Sequence, residues 1–235
     1  MQLTEVKALI TGSTSGIGYA IAHALQEKGA QVVISGRSAQ KVVQAVEALG
    51  VYGQKADVRQ EEEVESLVRF AIEAMGDLNV LVNNAGLGTF APLIETSVSD
   101  FQHQWEVNTR GLFLAGKAAA RHFVDKKYGN IINIGSTAAL KGFANGSSYV
   151  ASKFAVSGLT ECWRAELRPY NIRVMQVNPS EVVTEFFEKA GLPPRDAEHK
   201  LKPSEIAHLV VSMLSMNDVG FIPEASVWAT NPWGK

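Results

Sequence analysis

Residues 6–18 read VKALITGSTSGIG, an aliphatic run that passes directly into three glycines, Gly12, Gly16 and Gly18. A strand that enters a glycine-rich turn and then an apolar helical pattern is typical of a strand–turn–helix unit. Glycines in such a turn let the backbone approach a pyrophosphate, and free N–H groups at the helix start bind it. The spacing G-x-x-x-G-x-G is not the commoner fingerprint, and any strand-to-helix turn can use glycine. Its position after a first strand nevertheless predicts a dinucleotide site.

Short aliphatic segments alternate with helical patterns along the rest of the chain. The seven candidate strands are residues 6–10, 31–35, 51–56, 79–82, 130–134, 172–177 and 224–229. Near-continuous apolar strands are typical of a parallel sheet that is covered on both faces. The pattern therefore predicts an α/β fold, with residues 1–235 forming a single domain. Its doubly wound (Rossmann) parallel sheet has about seven strands, with helices on both faces.

The composition excludes several classes of protein. The 235 residues are 46% hydrophobic and 20% charged, as in an ordinary globular protein. A net charge of −2 gives no reason to expect nucleic acid or an anionic membrane as a partner, and no apolar run is long enough to span a bilayer. The single cysteine, Cys162, excludes an internal disulfide and indicates a cytoplasmic protein. The five histidines lack metal-ligand spacing, so no metal site is expected.

One segment, residues 184–202, interrupts the regular alternation. It begins with Thr184, contains the paired phenylalanines Phe186 and Phe187, and becomes charged after Pro193 and Pro194. A loop of this length in a compact domain is typical of a functional lid or of a solvated connection. The paired phenylalanines favour a substrate lid for the first half, and the charged second half fits either interpretation.

The end of the second candidate strand bears on the choice between the two nicotinamide cofactors. A carboxylate about 20 residues beyond the glycines would bind the ribose 2′-hydroxyl of NAD. This chain has no acid there and carries Arg37 between Gly36 and Ser38. A guanidinium can pair with a 2′-phosphate as a charge-assisted fork, although a solvent-facing arginine at a helix start is the alternative. We therefore predict a preference for NADP(H) over NAD(H).

Ser136, Tyr149 and Lys153 are the candidate catalytic residues. Tyr149 and Lys153 are four residues apart, so on a helix they lie on one face. A free phenol titrates near ~10, and an adjacent ammonium lowers that pKa because it favours the phenolate. The pair can then work as a general acid/base, whereas an ordinary pair on a helix surface is the alternative.

These features occur in a characteristic order: the glycine turn, the run NNAG at 83–86, Ser136, and the pair Tyr149 and Lys153. In this order and spacing the chain resembles the classical short-chain dehydrogenases/reductases, from residue 6 to about residue 184. The resemblance implies a nicotinamide cofactor and a small-molecule carbonyl or alcohol substrate. It also implies a homodimer or homotetramer formed through the two long central helices.

The resemblance further assigns roles around the cofactor. Asp57 would accept a hydrogen bond from the adenine amino group, while Val182 and Thr184 would fix the nicotinamide carboxamide. Asn83 would tie neighbouring strands together. The implied cofactor-binding residues are Gly12, Ser15, Gly16, Ile17, Gly18, Arg37, Asp57, Val58, Asn84, Tyr149, Lys153, Pro179, Val182 and Thr184.

The implied mechanism uses Asn108, Ser136, Tyr149 and Lys153 as catalytic residues. Ser136 would orient the substrate carbonyl by donating a hydrogen bond, and Tyr149 would protonate the developing alkoxide as hydride arrives from the nicotinamide. Lys153 would lower the pKa of the phenol and bond the nicotinamide ribose. Asn108 would hold a water that leads toward Lys153.

The sequence thus predicts an NADPH-dependent, reversible carbonyl reductase. Two alternatives stay open: a 3-oxoacyl-carrier-protein reductase specifically, and a catalytically idle dinucleotide-binding regulator. The chain reads Pro179-Ser180 where the family usually has Pro-Gly, and serine makes a positive φ less favourable there. Substrate identity does not follow, because the candidate pocket is largely apolar. Its residues are Leu87, Ala138, Leu140, Phe143, Glu181, Phe186 and Phe187.

Overall fold

Strands alternate with helices along the chain in the computed structural model, which describes residues 1–191 and 197–233. All seven predicted strands are present, with small shifts at their ends. They are β1 Lys7–Ile10, β2 Gln31–Gly36, β3 Tyr52–Lys55, β4 Val80–Asn83, β5 Gly129–Ile134, β6 Ile172–Pro179 and β7 Glu224–Val227. The predicted doubly wound α/β fold is confirmed.

The strands form one parallel sheet in the order β3-β2-β1-β4-β5-β6-β7. The order reverses between β1 and β4, so the chain leaves their neighbouring carboxyl ends in opposite directions. Ligands of open α/β sheets bind in the crevice at such a switch point. The residues that follow β1 and β4 are therefore well placed to form a site.

Helices cover both faces of the sheet. They are α1 Gly16–Glu27, α2 Ala39–Leu49, α3 Glu61–Met75, α4 Val98–Trp105, α5 Leu112–Lys126, α6 Ser147–Leu167, α7 Glu185–Lys189 and α8 Pro203–Ser215. A π-helical segment, Glu106–Gly111, joins α4 directly to α5. Such π-helical segments are rare and are frequently found at functional sites.

Alternation along the strands divides the core into two layers. In β1, Ala8 and Ile10 point into the layer formed with α1 and α8, whereas Leu9 points into the layer formed with α3, α5 and α6. Successive strand residues face opposite sides of a sheet, and here both sides are dry. This is the physical reason that the strands read as uninterrupted aliphatic runs.

The predicted lid segment begins at the edge of this architecture. Val182 forms an isolated parallel bridge with Leu201, and α7 lies between them in the chain. Residues 192–196, including Pro193 and Pro194, lie outside the described residues, as does the side chain of Phe187. In the ranges 1–191 and 197–233, no helix is both long enough and apolar enough to cross a membrane.

Candidate active site

The glycine turn between β1 and α1 depends on its glycines. Gly12 and Gly16 have φ of +62° and +61°, in the left-handed region that side chains disfavour. A Cβ at Gly12 would lie 2.7 Å from the Cα of Ala85, and one at Gly18 would lie 2.4 Å from Nδ2 of Asn84. The turn is therefore packed directly against the NNAG run that follows β4.

Thr11 and Asn84 fasten the carboxyl ends of β1 and β4 together. The Thr11 hydroxyl accepts hydrogen bonds from the backbone N–H of Asn84 at 3.1 Å and of Ala85 at 3.2 Å. The Asn84 amide donates to the carbonyl of Gly12 at 2.8 Å. Asn83 donates to Asn133 Oδ1 at 2.9 Å and ties β4 to β5, as the resemblance implied. These bonds hold the turn in one shape.

The start of α1 fits a dinucleotide pyrophosphate. Ser15 is the N-cap residue of this twelve-residue helix, and its side chain makes no capping hydrogen bond. The first N–H groups of α1 therefore have no side-chain partner at the positive end of the helix dipole. Thr184 lies close by, because a Cβ at Gly16 would be 3.3 Å from its methyl group. The glycine turn therefore contacts Thr184, which the resemblance assigned to the nicotinamide carboxamide.

The predicted adenosine residues lie at the ends of β2 and β3. Arg37 is exposed directly after β2, and Lys41 one turn into α2 lies 3.9 Å from Glu185 of α7. Asp57 is held by Arg59, whose Nε and Nη2 donate to the carboxylate at 3.0 and 2.6 Å. These hydrogen bonds lower the pKa of Asp57, against the opposing effect of burial. Asp57 is therefore a charged acceptor that already has one strong partner.

Val58 and Ile17 are apolar residues that follow β3 and β1 and pack into opposite layers of the core. Val58 is buried against Gly111 of the π-helical segment, where a Cβ would lie 2.7 Å from the valine methyl group. Ile17 is partly buried against the layer that contains α1. Both positions are compatible with the roles that the resemblance implied.

Ser136 lies two residues beyond the end of β5 and caps a short 3₁₀ turn. Its hydroxyl accepts a hydrogen bond from the N–H of Ala138 at 3.1 Å. Its own N–H donates to Oδ1 of Asn178 at 3.2 Å, and Asn178 is fully buried and bonded in turn to Glu224 at 2.6 Å. The serine is therefore held from both sides at the carboxyl end of the sheet.

Tyr149 and Lys153 lie on one face of α6, as predicted. The Lys153 ammonium is 5.8 Å from the centroid of the Tyr149 ring and donates to the carbonyl of Ile134 at 3.0 Å. The Ser136 hydroxyl lies near enough to the Tyr149 phenol to lower its pKa. The structure therefore brings Ser136, Tyr149 and Lys153 together from two separate elements.

The protonation of the pair differs from the sequence-based expectation. Burial raises the pKa of the Tyr149 phenol, and the hydrogen bond from Ser136 only partly opposes this rise. Burial also lowers the pKa of Lys153 to about 8. Burial thus outweighs the lowering that we expected from Lys153, because removal from water disfavours both charged forms. The phenol keeps its proton at neutral pH.

Asn108 lies in the π-helical segment and binds the loop after β4. Its Oδ1 accepts from the N–H of Leu87 at 2.8 Å, and its Nδ2 donates to the carbonyl of Leu87 at 2.9 Å and to Ser152 at 3.0 Å. A Cβ at Gly86 would lie within 4 Å of both Asn108 Oδ1 and Lys153 Nζ. The bare Gly86 backbone thus leaves a polar space between the two side chains.

Phe90 is a site residue that the sequence did not single out. Its ring lies 5.4 Å from the Tyr149 ring in an edge-to-face arrangement, and it also contacts Phe143 at 6.0 Å and Phe186 at 6.4 Å. Phe186 lies 5.7 Å from Tyr149. The available signal was the position of Phe90, four residues beyond the NNAG run at a strand's carboxyl end.

Gln104 is a second residue that the sequence did not identify. It is fully buried on α4, and its Nε2 donates to the Thr89 hydroxyl at 2.6 Å and to the Ser148 hydroxyl at 2.7 Å. Its Oε1 accepts from the Thr89 N–H at 3.1 Å. Gln104 therefore joins the neighbour of Phe90 to the neighbour of Tyr149. The signal was its spacing of four residues from Asn108, on the same helical face.

The segment after β6 does not require a positive φ at Ser180, which serine would disfavour. Pro179 pairs with Val227, and Ser180 donates its N–H to the Val227 carbonyl at 2.9 Å. Among the described residues other than glycine, the positive φ values are confined to Lys127, Asn145 and Asn171. Serine at 180 therefore needs no left-handed backbone.

Glu181 and Lys200 tie the two ends of the predicted lid together. Their side chains form an ion pair, and Leu201 donates its N–H to the Glu181 carbonyl at 3.1 Å. The Lys200 side chain is almost completely covered, whereas about half of the Glu181 side chain is exposed. Glu181 thus has a cationic partner within the chain itself.

Comparison with known proteins identifies relatives across most of the chain. The family model described as short chain dehydrogenase matches residues 6–193. The (2S)-[(R)-hydroxy(phenyl)methyl]succinyl-CoA dehydrogenase subunit BbsD of Thauera aromatica is 34% identical over 229 residues, covering 92% of this chain and 91% of that protein.

Two solved structures show the same architecture. An alcohol dehydrogenase of the archaeon Thermococcus sibiricus, complexed with 5-hydroxy-NADP, aligns with a TM-score of 0.87 and 29% identity, covering 98% of this chain and 99% of its own. The 3-ketoacyl-(acyl-carrier-protein) reductase of Brucella melitensis, complexed with NADH, aligns with a TM-score of 0.89 and 27% identity, covering 96% and 97%. Proteins similar to this chain thus hold dinucleotides of both the NADP and the NAD type.

Proposed function

The chain belongs to the short-chain dehydrogenase family and is an NAD(P)-dependent oxidoreductase, and we propose that it reduces a carbonyl to an alcohol, reversibly, with Tyr149 as general acid/base. The observation that carries this proposal is the convergence of Ser136, Tyr149 and Lys153 beside the switch point of the sheet. A protein that only binds a dinucleotide has no need of a protonated phenol beside Ser136 and Lys153. The idle regulator is therefore the weaker alternative.

Each of the three side chains has a defined task in this proposal. Ser136 donates to the substrate oxygen, and Tyr149, whose raised pKa keeps it protonated, transfers its proton to that oxygen. A nicotinamide cofactor, when bound, would supply the hydride. Lys153 stays charged below its pKa of about 8 and stabilises the phenolate that remains. Asn108, fixed against Leu87 and Ser152, keeps the loop after β4 beside Lys153.

We propose NADP(H) as the preferred cofactor. Arg37 is exposed at the start of α2, where a ribose 2′-phosphate would be accessible to a charge-assisted fork. Lys41 adds a second cation one helical turn later, although it lies 3.9 Å from Glu185. No carboxylate at the end of β2 competes for the ribose hydroxyls.

The organisation of the chain supports the rest of the proposal. We take residues 1–235 as one domain, with the described parts of residues 184–202 as a substrate lid. The lone Cys162 fits a reducing compartment, and we place the protein in the cytoplasm. Four exposed aromatic side chains on α4, α5 and α6 favour a homodimer or homotetramer. They are Phe101, Trp105, Phe113 and Phe154.

Oxidation of NADPH in the presence of a carbonyl panel tests the proposed function. The panel contains 3-oxoacyl thioesters, diketones, ketosteroids and aldehydes. Turnover of at least one of these carbonyls supports the reductase, and turnover confined to oxoacyl thioesters would identify the narrower 3-oxoacyl reductase. Binding of NADPH without turnover of any carbonyl would contradict the proposal and favour the regulator.

A further inference from the structure

The ring of Phe186 fills a slot between Gly88, Phe90 and Tyr149. The Phe186 centroid lies 5.7 Å from the Tyr149 ring and 6.4 Å from the Phe90 ring. A Cβ at Gly88 would lie 2.5 Å from Cζ of Phe186 and 3.1 Å from Cζ of Phe90. Only glycine at position 88 therefore leaves room for a ring, and the slot holds one aromatic ring beside the phenol of Tyr149.

Phe143 forms the outer side of this slot. Its ring lies 6.0 Å from the Phe90 ring and rests on Gly146, where a Cβ would be 2.6 Å from the phenylalanine ring. Half of Phe143 is exposed, so the slot reaches the protein surface at this side. Aromatic rings and the bare Gly88 backbone thus surround the Phe186 ring with apolar groups.

The residues that surround the slot and the Phe186 ring that fills it belong to different elements. Phe90 is held in place through Thr89, which Gln104 binds by hydrogen bonds of 2.6 Å from Nε2 and 3.1 Å to Oε1. Phe186 instead belongs to the five-residue helix α7 at the start of the lid. The ring and the walls therefore belong to different elements, so a shift of α7 would withdraw the ring without requiring the walls to move.

We propose that this slot is the substrate subsite for an aryl group attached to the reacting carbonyl, and that the Phe186 ring occupies it until substrate enters. The inference rests on the proposed function, because it places that carbonyl at Tyr149. Aromatic rings favour edge-to-face and offset contacts with one another, and a short alkyl group cannot replace them. Gly88 is then the specificity-determining residue, since it sets the depth of the slot.

Two diketones that differ in a phenyl ring test the proposal. We compare kcat/KM for 1-phenyl-1,2-propanedione and for 2,3-butanedione, with NADPH, in the wild type, Gly88→Ala and Gly142→Ala. Gly142 is the matched control because a Cβ there meets no atom within 4 Å and its φ is not positive. The wild type and the control are expected to prefer the phenyl substrate about tenfold or more. Gly88→Ala is expected to lose that preference while it still reduces butanedione.

The second variant, Phe186→Ala, guards against a folding defect in Gly88→Ala. Removal of the occupying ring is expected to lower KM for the phenyl diketone and to leave KM for butanedione unchanged. An unchanged substrate ratio in Gly88→Ala, or a wild type that prefers butanedione, overturns the slot but leaves the reductase standing. If the wild type reduces neither diketone, the affinity for the phenyl diketone is measured by calorimetry. Equal affinities of the wild type and Gly88→Ala would overturn the slot, and so would the absence of binding to the wild type.

Discussion

Lys153 shows how burial controls a single side chain at the proposed active site. Its pKa is lowered to about 8, and burial is the cause, so the ammonium is charged at pH 7 and neutral well above pH 8. Burial raises the pKa of Tyr149, so the phenol stays protonated over the same range. We therefore expect kcat/KM for carbonyl reduction to be constant below about pH 7 and to fall above about pH 8 as Lys153 loses its charge.

A pH–rate profile measured at saturating NADPH checks this prediction. NADPH affinity measured at each pH separates loss of cofactor from loss of turnover. The lowered pKa of Lys153 affects stability in the opposite direction. Between about pH 8 and 10.5 the unfolded chain binds more protons than the folded chain, so the free energy of unfolding should rise with pH across that window. A profile that stays flat to pH 10 would contradict the role given to Lys153.

Arg37 carries the prediction on cofactor choice at the residue scale. Replacement by aspartate removes the proposed partner of the 2′-phosphate and adds a carboxylate that can bind the 2′-hydroxyl of NADH. We expect Arg37→Asp to lower the NADPH/NADH ratio of kcat/KM by at least about tenfold, which corresponds to ~1.4 kcal/mol. Steady-state kinetics with both cofactors measure the ratio. The same ratio in variant and wild type would show that Arg37 does not select the cofactor.

At the scale of secondary-structure elements, Gln104 joins α4, the loop after β4 and the start of α6. Replacement by leucine leaves polar groups of Thr89 and Ser148 without their buried partner, which costs about 1–3 kcal/mol of stability. Because Phe90 and Tyr149 are the adjacent residues, we also expect Gln104→Leu to raise KM for the carbonyl while the Kd for NADPH is unchanged. Denaturant unfolding and steady-state kinetics measure the two effects.

Gln102→Leu is the control for this element, since Gln102 is exposed on the same helix. It should leave both stability and KM close to the wild-type values. If Gln104→Leu lowered stability but left KM unchanged, Gln104 would be a structural residue without influence on the substrate site.

At the scale of the whole molecule, the exposed aromatic side chains of the central helices predict self-association. Phe113 of α5 and Phe154 of α6 are each more than 40% exposed, which is unusual for phenylalanine. We expect the wild type to show the mass of a dimer or tetramer in light scattering, and Phe113→Glu with Phe154→Glu to dissociate it. Val43→Glu on α2 is the control, because Val43 is 55% exposed but lies on another helix. A monomeric wild type would contradict the prediction.

Much of the fold could be predicted because the strands and the glycine turn are determined by local sequence patterns. Aliphatic runs that are buried on both faces, such as β5, have a signal that needs no tertiary information. The glycine turn and the spacing of Tyr149 and Lys153 are likewise local. Their convergence with Ser136 was expected from the family resemblance alone.

The remaining features depend on contacts between distant segments. The raised pKa of Tyr149 arises from burial by groups such as Phe90 and Phe186, which no sequence spacing relates to it. The hydrogen bonds of Gln104 and the ion pair of Glu181 with Lys200 also join separate segments. Sequence patterns report periodicity within an element, and such long-range partners are invisible to them.

Turnover by Tyr149→Phe is the most direct measurement of the central claim, that Tyr149 supplies the proton in carbonyl reduction. Phenylalanine keeps the ring contacts with Phe90 and Phe186 and removes only the hydroxyl group. With the best carbonyl of the panel, we expect kcat to fall by about 10²–10⁴-fold while the variant still binds NADPH. A variant that reduces this carbonyl at the wild-type rate would contradict the account.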